Sequence, residues 1–402
     1  MRTAPLRSIV TTLVLLLATA PANAQDPPFS RAQRDLVELA FDAASAVPAY
    51  PHAKTRSKLQ ADGVGACLEL GQTALAEQLL ARSDADWRQG VGQADLAIAL
   101  AARGGKEQAR AALDRARKLA DTVLQDENPQ QWRRDRVRAR IARAWVVLGD
   151  EQQATEFAKG LEPNEAATLA RDSADLIKAD GLDACLRGVD STFTVGDFDQ
   201  VAAALGTCAK LYERCYDDVE HRKQLAQRVR SGYAKLPLQV RLELVCGLVD
   251  VALRRGDRQE AKDVAGDLPA LMARVDWLPE QRLAWLARIG ALRWRAGDEA
   301  GGRADLDTAV ADYESQRDRI VDMFRAGVLR EQAAAWHVLG DDARALAAFR
   351  RAVDEGAHNP NARPRAEDLV ATCLLIARTG VAPDAGLSAR LRAVRAGLRD
   401  PW

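Results

Sequence analysis

A six-residue phrase recurs along the chain and limits what it can fold into. Gly149-Asp150-Glu151-Gln152-Gln153-Ala154 returns as Gly256-Asp257-Arg258-Gln259-Glu260-Ala261 and as Gly340-Asp341-Asp342-Ala343-Arg344-Ala345. Looser copies start at Gly71, Gly104, Gly196 and Gly297. Each copy lies between two stretches whose apolar residues fall at helical spacing. A glycine takes the left-handed conformation that ends a helix tightly, and the Asp after it caps the next helix. The small residue five positions on lets the two helices approach closely. The phrase therefore predicts helix pairs: 58–70 with 73–81, 87–102 with 107–124, 131–148 with 151–160, 183–195 with 198–216, 240–255 with 259–268, 279–296 with 299–313, and 321–339 with 343–355. Further helices are predicted at 30–46, 165–179 and 365–379, and an insertion at 217–238. The turns are spaced by 33, 45, 47, 60, 41 and 43 residues. Such an array grows by stacking pairs over a continuous core, so its length needs no second globular core.

These residues resemble the tetratricopeptide repeat family, over most of 53–355. In that family a glycine sits between the two helices of a repeat, and alanines follow five and twelve residues later. Gly104 is followed by Ala109 and Ala116, and Gly340 by Ala345, Phe349 and Ala352. Trp145 and Trp336 stand four residues before their turns, where the family has a bulky aromatic, and Gly290 stands seven before Gly297. Gly149 and Gly256 depart from the pattern, with Leu161 and Leu268 at the second alanine position. The resemblance implies an all-α fold, a right-handed superhelix of antiparallel helix pairs. It also implies a concave surface lined by the first helices, which binds a protein or peptide. Counting back from each turn, it places Arg136, Arg140, Arg143, Asp250, Arg254, Trp294, Arg330 and His337 toward that surface.

The N-terminal residues read as a secretory signal. Arg2 and Arg7 precede a short apolar run from Ile9 to Ala20, and Ala22-Asn23-Ala24 forms a small-residue cleavage site. The run is shorter than the ~20 residues a spanning helix needs. Cleavage after Ala24 would leave a periplasmic or secreted protein without a transmembrane segment. Its organisation would be 1–24 signal, 25–52 N-terminal helix and linker, 53–355 repeats, and 356–402 C-terminal helices capping the array. Loss of Arg2 and Arg7 takes the basic residues from 57 to 55 against 57 acids, a formal charge of −2. That balance, with export, argues against a nucleic-acid partner.

No local motif announces catalysis. The histidines are His52, His221, His337 and His358, and none has a metal-site spacing. There is no G-x-S-x-G, no P-loop and no dinucleotide glycine motif. No cofactor and no catalytic residue are assigned, and a non-enzymatic scaffold is the expected function. An envelope enzyme acting on cell-wall glycans is the rival reading, and it requires two carboxyls in one cleft. A structural subunit of an envelope assembly is a third.

Two local features add to this. Arg133, Arg134, Arg136, Arg138, Arg140 and Arg143 crowd one predicted helix, opposed there only by Asp135, with Trp132 and Trp145 at its ends. They form either a patch for an acidic partner or a face neutralised by the acid-rich stretch 150–199. Among the cysteines Cys67, Cys185, Cys208, Cys215, Cys246 and Cys373, Cys185 lies eleven residues before Gly196 and Cys208 twelve after it. A hairpin turning at Gly196 sets them opposite each other, as a possible disulfide in an exported chain. Leu387, Leu391, Val394 and Leu398 mark a C-terminal amphipathic helix over 386–398.

Overall fold

The computed structural model describes residues 26–123, 130–177, 181–232 and 236–402. The predicted signal, residue 124, residues 178–179 and part of the 217–238 insertion lie outside them. Two compact units are formed. One is Ala85–Leu248; the other joins Asp26–Asp84 to Val249–Trp402. The described residues are all-α and arranged as helix pairs.

The chain opens with α1 (Arg31–Ala46), α2 (Ala49–Glu69) and α3 (Thr73–Arg82). The Ala85–Leu248 unit follows, with α4 (Trp87–Ala102), α5 (Lys106–Thr122), α6 (Gln131–Leu148), α7 (Glu151–Ala158) and α8 (Pro163–Asp172). After a 3-10 turn at Ala174–Leu176 come α9 (Leu182–Val195), α10 (Phe198–Arg214) and α11 (Val219–Gly232). α12 (Leu238–Arg254) leads into the second unit. There lie α13 (Arg258–Ala265), α14 (Asp267–Met272), α15 (Pro279–Arg295), α16 (Glu299–Gln316), α17 (Asp322–Val338), α18 (Asp342–Ala357), α19 (Ala362–Thr379) and α20 (Ala385–Ala396).

The recurring phrase builds the turns as its chemistry requires. At Gly340, φ is 79°, the Asp341 N–H donates to the Trp336 carbonyl at 2.9 Å, and the Asp341 carboxylate accepts from the Arg344 N–H at 3.0 Å. One dipeptide thus satisfies orphan groups of both helices. The same 6→1 bond and Asp cap recur at Gly149, Gly256 and Gly297. Gly196 differs: its φ is −72°, an ordinary extended value, and the turn is held by a capping box between Asp197 and Gln200. The insertion predicted at 217–238 contains a full helix, α11, and the helix predicted at 259–268 breaks into α13 and α14 at Gly266. The helix predicted at 165–179 starts earlier, at Pro163, and yields to the 3-10 turn.

Within the second unit α15 and α16 meet backbone to backbone. A Cβ on Gly302 would lie 2.5 Å from the Gly290 carbonyl oxygen, and one on Gly290 would lie 2.7 Å from the Gly302 oxygen. Gly302 occupies the fifth position after the turn, where the copies at Gly71, Gly104, Gly149, Gly256 and Gly340 carry alanine and that at Gly196 carries Val201. In the same unit the chain's two ends pack together. α1 lies against α19, with the Gln33 side chain donating to the Ala377 carbonyl at 2.9 Å and Arg378 paired to Glu69 at 2.6 Å. α20 lays the buried Leu387 and Leu391 against α18 and α19.

Candidate functional site

The arginine-rich helix α6 organises the Ala85–Leu248 unit. Its acid, Asp135, is fully buried and accepts from Gln131 Nε2 at 2.9 Å and from the Glu162 backbone N–H at 3.1 Å. Glu162 is the N-cap of α8, so Asp135 supplies the acceptor that α8's first turn lacks. One turn on, Arg138 Nη2 donates to the Lys159 carbonyl at 2.8 Å and the Glu156 carbonyl at 3.3 Å, at the end of α7. α6 thereby pins the α7–α8 corner and fixes where α8 runs.

That placement brings carboxylates to the predicted arginines. Arg136 binds Glu165 through Nη2 at 2.8 Å and Nε at 3.1 Å. Arg140 Nη1 meets Asp172 at 2.6 Å, and its Nε lies 3.6 Å from Asp95 of α4. Arg143 Nη2 reaches Asp175 at 3.3 Å. Glu165 and Asp172 are 4% and 8% exposed at their side chains. Glu165 sits in α8's first turn, where a negative charge suits the helix dipole. Asp172 ends the same helix, where it does not. Burial works to raise the Asp172 pKa, but the hydrogen bond from Arg171 and the Arg140 charge prevail and hold it below the usual carboxylate range. Burial pushes Asp95 the other way, upward, against Arg140 and Arg143. The acid-rich stretch after α6 therefore supplies the arginines' partners.

An aromatic pair flanks this cluster. Trp87 and Trp132 pack edge to face at 5.3 Å, and the Arg136 guanidinium lies 5.3 Å from the Trp132 ring and 5.9 Å from Trp87. A cleft of ≈ 310 Å³ opens among α4, α6 and α8. Arg136, Arg140, Arg143 and Arg171 line it with Glu165 and Asp172, and Val91, Ala139 and Leu169 add apolar surface. Among the described residues no group of three or more His, Cys, Asp or Glu side chains is placed to hold a metal ion.

The other predicted residues belong to the second unit. Asp250 pairs with Arg295 at 2.8 Å, and Arg254 is also engaged. Trp294 is half-buried where α15 crosses Gly302. Arg330 binds Asp368 at 2.8 Å, and burial raises the pKa of that aspartate against the opposing arginine. His337 Nδ1 lies 2.6 Å from Asp342. Cys185 and Cys208 are both free thiols, on the packed helices α9 and α10. Sequence reasoning missed Glu165, Asp172, Arg171 and Asp95; the acid-rich composition after α6 signals only the first two, and nothing local points to Arg171 or Asp95.

No protein-family model and no curated protein sequence matches the chain. Among solved structures it is similar to a circular tandem repeat protein with novel repeat topology and enhanced subunit contact surfaces. The identity is 16% and the TM-score 0.23, over 91% of this chain and 94% of that one. The class defined by the fold is an all-α helical-repeat protein. Among the described residues no helix is long and apolar enough to cross a membrane.

Proposed function

We propose that the chain is an exported, non-enzymatic helical-repeat scaffold of the tetratricopeptide kind, which binds another protein or a peptide at the cleft among α4, α6 and α8. The observation that carries this reading is the cleft itself. It lies along the arginine face of α6, a first helix of the array, and combines charged and apolar lining within a volume suited to part of a peptide. Export rests on the basic start, the short apolar run and the Ala22-Asn23-Ala24 site. Affinity capture of the tagged mature protein from its native envelope, followed by mass spectrometry, tests the reading. A partner should be retained by the wild type and lost when Thr168 in the cleft lining is replaced by Trp. A partner retained equally by both proteins would move the binding site elsewhere. N-terminal sequencing should return Gln25, and a retained Met1 would contradict export.

The glycan-hydrolase reading has one observation in its favour. Asp95 and Asp172 flank a single guanidinium, and their pKa values move in opposite directions, as acid and base pairs in active sites do. Against it, Asp172 spends one oxygen on Arg140 and the other on Arg171. A carboxylate held in that way is poorly placed to attack or to protonate a sugar. Absence of cleavage when the purified protein is incubated with peptidoglycan is the expected result.

A further inference from the structure

The cleft has donors left over and few acceptors. Each guanidinium presents five N–H donors. Glu165 is taken by Arg136 Nε and Nη2, and Asp172 by Arg171 Nε and Arg140 Nη1. Both carboxylates lie buried at the base of these pairs. Both terminal amino groups of Arg171, Nη1 of Arg136 and Nη2 of Arg140 have no hydrogen-bond partner among the described residues. Arg136 and Arg171 are also the exposed members, at 44% and 35% of the side chain.

The stem of Arg171 lies in a gap on α10. A Cβ on Gly206 of α10 would come within 2.6 Å of Arg171 Cδ and 3.1 Å of Cγ. Glycine inside a helix is otherwise unfavourable. Here it makes room for the stem of an arginine that also lines the cleft. Val91, Ala139 and Leu169 supply apolar surface in the same cleft.

From this geometry we infer that the cleft binds a carboxylate joined to an apolar group. The carboxylate seats on the open edges of Arg171, Arg136 and Arg140, and the apolar group on Val91, Ala139 and Leu169. A carboxylate suits the charge balance better than a phosphate. Arg136, Arg140, Arg143 and Arg171 already face Asp95, Glu165, Asp172 and Asp175, so there is no positive excess to offset a dianion. A planar, singly charged group still gains paired bonds from a guanidinium fork. The ligand is either the C-terminus of a peptide with an apolar last residue or a small apolar carboxylic acid. The peptide form of the inference deepens the peptide-binding reading and rests on it; the small-acid form needs only the cleft.

Calorimetric titration of the mature chain tests it with four probes. These are an acetylated tetra-alanyl-leucine peptide with a free C-terminus, the same peptide as its C-terminal amide, isovalerate, and inorganic phosphate. The free acid should bind, and the amide should bind at least about tenfold more weakly, as loss of a charge-assisted hydrogen bond implies. Arg171→Met should weaken binding of the free acid by about tenfold, and Arg171→Lys by less. Arg171→Met also removes the Nε bond to the buried Asp172, so it should melt below the wild type and is titrated well under that melt, while Arg171→Lys should melt closer to the wild type. Isovalerate binding as tightly as the peptide would identify a small acid as the ligand, which supports the inference and removes the peptide from it. The inference is overturned by equal binding of acid and amide, by phosphate competing as well as isovalerate, or by a folded protein that binds neither carboxylate. A partner captured equally by the wild type and Arg171→Met would also overturn it, while leaving the scaffold reading intact.

Discussion

Arg140 on α6 and Asp172 at the end of α8 meet at 2.6 Å across 32 positions of sequence. The relation recurs in the second unit, where Arg330 of α17 meets Asp368 of α19 at 2.8 Å across 38 positions, and Arg295 meets Asp250 across 45. In each case one helix pair supplies the arginine and a neighbouring pair the acid. These ion pairs tie adjacent helix pairs together, the kind of nearest-neighbour contact from which repeat arrays draw their stability.

Arg140→Ala should therefore destabilise the protein. It leaves Asp172 buried at the negative end of α8 with Arg171 as its remaining partner. The expected loss is about 1–3 kcal/mol, the cost of stranding a buried charged acceptor. Urea unfolding measures it, and adding Asp172→Asn to the Arg140→Ala chain should recover part of the loss. Additive losses would show that the pair is not coupled.

Acid should weaken the same link. The Asp172 pKa is lowered in the folded state, so its contribution is present above the ordinary carboxylate value of 3.8 and is lost as pH falls through the lower folded value. Asp95, raised by burial, has the opposite sign: ionising it costs folding free energy, and acidification relieves that cost. The stability gap between wild type and Asp172→Asn should shrink as pH drops below 3.8. A gap that does not change with pH would remove Asp172 from the acid response.

Gly302→Ala and Gly247→Ala should move stability in opposite directions. The first places a Cβ 2.5 Å from the Gly290 carbonyl oxygen, with backbone that cannot yield cheaply, and should cost about 1–3 kcal/mol. The second, inside α12, meets nothing within 4 Å and should add about 0.5–1 kcal/mol through helix propensity. Thermal melts of the two variants decide the matter. An equal effect from both would mean that α15 and α16 do not cross at that distance.

Cysteine reactivity should separate core thiols from the rest. Burial pushes the thiols of Cys67, Cys208 and Cys373 up to about 12. Cys67 and Cys373 should resist iodoacetamide at neutral pH in the folded protein and react in urea, since the thiolate is the nucleophile, and Cys208 should do the same only while it is reduced. The Cys185 thiol lies within electrostatic reach of Cys208. A non-reducing peptide map of the exported protein is expected to join these two residues, and free thiols at both would show that they remain core side chains.

The turns were legible in the sequence because they are local. Gly340 and Asp341 contain the chemistry that ends one helix and starts the next. Gly196 misled for the same reason: the letters match the phrase, but Asp197 and Gln200 close that turn without a left-handed residue. The arginine cluster was legible as composition only. Whether it faces a partner or the chain's own acids depends on where α8 lands, and Asp135 sets that by holding the Glu162 N–H across 27 positions. The packing of α1 on α19 joins residues 344 positions apart, beyond any periodicity a single sequence displays.

Site-specific photocrosslinking in the native envelope tests the binding cleft most directly. A photoreactive amino acid is placed at Thr168, in the cleft lining, and in a control chain at Arg117, on the exposed face of α5. The scaffold account predicts a discrete crosslinked protein or peptide from position 168 and none from 117. The crosslink should fade when the acetylated tetra-alanyl-leucine acid is added in excess. No crosslink from 168, or the same products from both positions, would contradict the assignment of this cleft as the binding site.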